Sequence, residues 1–96
     1  AMKMMWIVYD VDMEEEVMEA LEGAGVKVYT LWERVLGRGS RSEPKFGTHA
    51  WPSWNRALMV ALEDSEARRL WEALRDLCQR PQGGIHAFLW PLEGMM

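Results

Sequence analysis

Met4-Met5-Trp6-Ile7-Val8-Tyr9 is an unbroken apolar run of strand length that stops at Asp10, and a few residues later the pattern changes period. Met13, Val17, Ala20, Leu21 and Ala24 recur at the 3.6-residue spacing of one helix face, while Glu14, Glu15 and Glu16 lie off that stripe. A buried strand followed by an amphipathic helix sets the opening of the fold. Asp12 is expected to cap this helix, because Glu15 lies three residues on, where its side chain can reach back to the cap amide. The three glutamates also suit the positive end of the helix dipole. Gly23 and Gly25 are expected to end the helix, since a positive φ there is cheap only for glycine.

Working outward, Val26, Val28, Thr30 and Trp32 alternate with Lys27, Tyr29, Leu31 and Glu33, which predicts a second strand over 26–36. From Gly37 to Trp54 glycine, proline and serine recur without periodicity, and a connection this long in so small a chain is usually functional or partly disordered. A third strand is predicted from Arg56 to Glu63. A second helix follows, capped by Asp64 or Ser65, with Ala67, Leu70, Trp71, Leu74, Leu77 and Cys78 as its apolar stripe. Pro81 and Gly83-Gly84 stop it, and Ile85 to Pro91 forms the last strand. The order βαββαβ predicts an α+β, ferredoxin-like fold: a four-stranded antiparallel sheet with two helices on one face. Residues 1–96 form a single domain with a long loop at about 37–55.

Helices on one face leave the other face of the sheet uncovered, yet Trp6, Val8, Met59, Phe88 and Trp90 keep the strands apolar on both sides. At roughly 25 cal/mol per Å² of apolar area, a wet face of this kind is costly. Packing such faces together in a symmetric homo-oligomer, a dimer or a trimer, is the simplest remedy.

The chain has 96 residues, 49% of them hydrophobic and six of them Trp, which reads as a folded chain of modest stability. Ala1 ahead of Met2 reads as a remnant of cloning. No signal peptide and no membrane insertion are expected, because the N-terminal apolar run contains Lys3 and is too short to span a bilayer. A single cysteine, Cys78, makes no internal disulfide and fits a cytoplasmic location. A net charge of −4 argues against nucleic acid as a partner. The charge is uneven, however: Arg34, Arg38, Arg41, Lys45 and Arg56 against Glu43 leave 34–56 at +4 and the remainder at −8. A basic island on an acidic body suits an anion, or is simply a solvated loop.

Two motifs carry candidate chemistry. In Gly37-Arg38-Gly39-Ser40-Arg41, glycines let backbone amides approach an anion and arginines bind phosphate bidentately; a flexible turn is the plainer reading. Gln82-Gly83-Gly84-Ile85-His86 presents amides and an imidazole, or merely stops a helix and starts a strand. His49, His86 and Cys78 lack zinc-site spacing, so no structural metal is expected; a site combining His49 or His86 across subunits stays open as an alternative. No nucleophile and base can be assembled, so no enzymatic activity is expected. Trp51-Pro52-Ser53-Trp54 either packs on the domain or docks a target protein through the 37–55 loop.

The chain resembles the PII-like signalling proteins. The resemblance is carried by Gly25, Thr30, Val35-Leu36-Gly37-Arg38-Gly39, the strand after Arg56, and Gly83-Gly84-Ile85-His86 running to Pro91. It implies a regulatory homotrimer with sheets facing inward, binding an adenine nucleotide (ATP, ADP or AMP) in clefts between subunits. The residues it points to are Gly37, Arg38, Gly39, Arg41, Arg56, Gly83, Gly84 and His86. Three departures mark the chain as divergent. Arg41 stands where the family pattern has glutamine, the 37–54 loop has no tyrosine to modify, and His86 is the nearest match to a lysine before the last strand. CutA-type trimers are similar in fold and imply the alternative of a divalent or heavy metal.

Overall fold

A computed structural model describes residues 1–37 and 54–96. Its elements are β1 (Met2–Asp10), a 3-10 turn (Val11–Met13), α1 (Glu14–Gly23), β2 (Thr30–Val35), β3 (Asn55–Glu63), α2 (Asp64–Cys78) and β4 (Ile85–Pro91). The four strands form one sheet in the order β2-β3-β1-β4, antiparallel throughout. This is the ferredoxin-like fold expected from the sequence.

Strand alternation sends Met5, Ile7 and Tyr9 of β1, Leu58, Val60 and Leu62 of β3, and Ile85 of β4 toward the helices. There they meet Val17 and Leu21 of α1 and Ala67, Leu70, Leu74 and Leu77 of α2, all buried in one core. Arg69 of α2 donates from Nη2 to the Ala24 carbonyl at 3.2 Å, so the second helix supplies a partner for the C-terminal end of the first.

Four local expectations are corrected. The α1 entry is capped two residues early: the Asp10 carboxylate accepts from the Asp12 amide at 2.9 Å, and a 3-10 turn precedes the helix. Asp12 and Glu15 therefore do not form the expected box. The box occurs instead at α2, between Glu63 and Glu66, one residue before the predicted Asp64 or Ser65 cap. The second strand begins at Thr30 rather than Val26. Gly25 takes φ +81°, and the Val26 amide donates to the Leu21 carbonyl at 2.9 Å, so this stretch first closes the end of α1. Finally, Cys78 is exposed rather than buried, with its thiol directed at the Ile85 carbonyl 3.5 Å away.

Among the described residues no helix covers the other sheet face. Trp32, Phe88 and Trp90 are 41, 53 and 40% exposed there. Trp6 and Trp32 meet edge to face with centroids 5.1 Å apart, and Ala57, which pairs with Trp32 on the intervening strand, is fully buried. Between Trp32 and Val35 the pairing with β3 slips by one residue, a bulge that bends the exit of β2.

Candidate functional site

The register fixes which residues share an end of the sheet. Asn55 at the start of β3 lies opposite both Asp10 at the end of β1 and Val35 at the end of β2, while Tyr9 lies opposite Ile85 at the start of β4. Gly37, Trp54, Arg56, Gly83 and Gly84 therefore crowd onto one end. Backbone bonds stitch it together: the Asp10 amide donates to the Gly84 carbonyl and the Val11 amide to the Trp54 carbonyl, both at 2.8 Å.

Gly83 and Gly84 take φ +57° and +86°, where a side chain is disfavoured. At Gly84 a Cβ would also come within 3.3 Å of the Asp10 Cβ, so glycine is needed for the turn to seat against β1. The glycine pair thus shapes a real turn, although its carbonyl is already used inside the fold.

Arg56 has a different environment from the one expected. Its Nη1 donates to Glu14 Oε2 in a short ion pair, and its Nε donates to the Glu33 carbonyl at 3.1 Å. The other Glu14 oxygen accepts from the Tyr9 hydroxyl, again over a short distance. Burial, followed by the hydrogen bond to Glu14 and that residue's charge, holds the Tyr9 phenol well above its ordinary range. Trp54 Nε1 shares the Glu33 carbonyl at 3.1 Å, and the Arg34 guanidinium stacks on the Trp54 ring 4.5 Å from its centroid. The ends of the 37–55 segment are thereby bound to each other and to the start of α1. Trp54 follows the packing reading of the Trp-rich stretch.

Gly37 is exposed, and a Cβ there would meet nothing within 4 Å. β2 and β4 are opposite edges of the sheet, and three strand spacings of about 4.8 Å place Gly37 roughly 14 Å from the Gly83-Gly84 turn. A single phosphate is too small to span that separation within one chain. His86 is exposed and alternates onto the open sheet face opposite Val8, away from the helix core. Arg38, Gly39, Arg41 and His49 lie outside the described residues.

Among the described residues no group of three or more His, Cys, Asp or Glu is placed to hold a metal. Although the residue is exposed, its sulfur is partly desolvated beside Ile85, which pushes the Cys78 thiol up and disfavours the thiolate a metal needs. Cys78 lines a groove of about 300 Å³ between α2 and β4, with Trp71, Leu74 and Ile85. None of the described helices is long and apolar enough to cross a membrane. The Tyr9–Glu14–Arg56–Glu33 connection was missed in the sequence because its partners lie up to 42 residues apart with no periodic relation.

Fold and site together define a ferredoxin-like domain whose loops converge on one end of the sheet. Residues 2–95 match the family Nitrogen regulatory protein P-II, and the chain belongs to that family. No curated protein matches the sequence. Among solved structures, the PII-like protein CPII from Thiomonas intermedia K12, bound to ADP, AMP and bicarbonate, superposes with a TM-score of 0.78. It is 20% identical, over 93% of this chain and 83% of that one. CPII bound to ADP and bicarbonate gives 0.72 at 20% identity, over 93% and 85%. A PII-like signalling protein from Thermus thermophilus gives 0.67 at 22% identity, over 93% and 84%.

Proposed function

We propose that this chain is a non-enzymatic PII-like regulator that binds an adenine nucleotide in clefts between the subunits of a homotrimer. The observation that carries this reading is the convergence of the Gly37 exit, the Arg56 strand start and the Gly83-Gly84 turn on one sheet end, in a P-II family chain. The bound ADP and AMP of the CPII structures support the ligand class. Arg38 and Arg41 contact the phosphates; Gly37, Gly39, Gly83 and Gly84 offer backbone amides; His86 adds a donor. The gap of roughly 14 Å between the glycine segments favours a ligand longer than one phosphate, or loops from two subunits.

The open sheet face favours the trimer. Trp32, Phe88 and Trp90 form part of a contiguous apolar surface, of a kind that in soluble proteins marks an interaction site. Packed inward against two copies, it becomes the centre of the assembly.

Calorimetry with ADP and AMP tests the reading. The parent protein should bind, and the double variant Arg38→Ala with Arg41→Ala should keep its fold and mass while losing binding, since each charge-assisted contact is worth about 1.5–3 kcal/mol. Equal binding by both proteins would remove these arginines from the site.

A further inference from the structure

Arg56 stands at the candidate site, yet its described bonds are internal. Nη1 is given to Glu14 and Nε to the Glu33 carbonyl. A guanidinium has five N–H donors in a fixed fork, so two bonds leave most of that capacity available to an anion. The side chains of Arg56 and Glu14 are 23 and 32% exposed, within reach of a ligand arriving from solvent. Glu14 is not held by Arg56 alone, because Tyr9 donates to its other oxygen. It can therefore lose the arginine and still keep a buried hydrogen-bond partner.

We propose that Arg56 is a shared cation, held by Glu14 in the empty protein and competed for by the anionic part of a bound nucleotide. The inference rests on the nucleotide reading and adds its regulation: Glu14 is an internal competitor that lowers affinity, and binding loosens the first turn of α1 from β3. Because coupling is reciprocal, whatever pulls Glu14 away from Arg56 also tightens nucleotide binding. The Glu33 carbonyl keeps Arg56 anchored at the exit of β2 through Nε, so the guanidinium exchanges partners without leaving the sheet end.

Competition and simple scaffolding predict opposite signs. Calorimetry with ADP is run on the parent, Glu14→Gln, Arg56→Gln and the double variant, with folding and mass checked by circular dichroism and sedimentation. Glu14→Gln should bind ADP about two- to fivefold more tightly, the size of a partly exposed ion pair. Arg56→Gln should bind it about tenfold or more weakly. In the double variant the gain from Glu14→Gln should vanish, which separates an effect through Arg56 from a general loss of negative charge. Glu15→Gln, on an exposed neighbour, is the control and should leave affinity near the parent value. Should Arg56→Gln fail to fold, Arg56→Lys replaces it, keeping the charge but not the fork, and should weaken ADP binding.

If both single variants weaken binding, or neither changes it, Arg56 is only a scaffold residue and the inference is overturned while the nucleotide reading stands. A gain from Glu14→Gln that persists in the double variant overturns it too. A parent protein that takes up neither ADP, AMP nor ATP overturns the underlying reading, and the inference falls with it.

Discussion

Leu58 and Met59 are consecutive on β3 and face opposite sides of the same sheet. Leu58 is fully buried beneath the helices, whereas Met59 sits half-buried beside Trp6 on the open face. The two sides are built from similar side chains, and they differ in what covers them. The helix side is completed within the chain: Val17, Leu21, Leu70 and Leu74 fill it to near-zero exposure. The open side is tiled with indoles and a phenyl ring that only partly shield one another. A residue on the first side therefore acts on the stability of the subunit, and one on the second is expected to act on the proposed assembly.

The largest effect should come from the covered side. Leu58→Ala is expected to lower unfolding free energy by about 2–5 kcal/mol, as buried leucine truncations do, read from urea denaturation. A loss below about 1 kcal/mol would mean that the covered face is not the one that holds the subunit together.

Tyr9 sharpens the contrast at the edge of the same core. Its pKa is raised in the folded chain, so its contribution is fully present below the unfolded value near 10 and is lost as pH rises beyond it. Tyr9→Phe should cost about 0.5–1.5 kcal/mol at neutral pH and flatten the alkaline fall in stability above about pH 10. Urea titrations of both proteins across that range measure it; an unchanged slope would separate the phenol from the alkaline transition.

The smallest effect on the isolated subunit should come from the open side. Phe88→Ser is expected to shift subunit stability by no more than about 0.5 kcal/mol. It should nevertheless reduce assembly, seen as a lower mass in sedimentation velocity. If it destabilises the subunit as strongly as Leu58→Ala, the two faces are not functionally distinct.

Much of this contrast was legible in the residue pattern, for a physical reason. Apolar spacing reports burial directly, so the stripe Met13, Val17, Leu21, Ala24 and the bounds of β4 agree with the structure, as does the apolar second face. Local hydrogen-bond competition was less legible. Val28 and Tyr29 alternate like strand residues, but the Val26 amide two residues earlier is spent on the Leu21 carbonyl and the chain joins β3 only at Thr30. Caps shifted by one or two residues for a similar reason: Asp10 and Glu63 carry carboxylates as able to cap as those predicted. At the site, the glycine pair before β4 was readable because positive φ selects glycine. The engagement of Arg56 was not, because composition says nothing of which carboxylate lies across from it in space.

The order β2-β3-β1-β4 also bears on how the chain comes to be folded. Met2 lies opposite Glu63, and Lys3 opposite Pro91, so the first of the four strands to leave the ribosome finds neither of its neighbours in the segment that follows it. β1 is apolar and central, and it stays without a partner strand until most of the polypeptide has been made. Its pairing requires closing long loops before any ladder can form, a topology that slows folding relative to a meander of the same length. During that interval α1, which opens on Glu14, Glu15 and Glu16, is the nearest cover available to Met5, Ile7 and Tyr9.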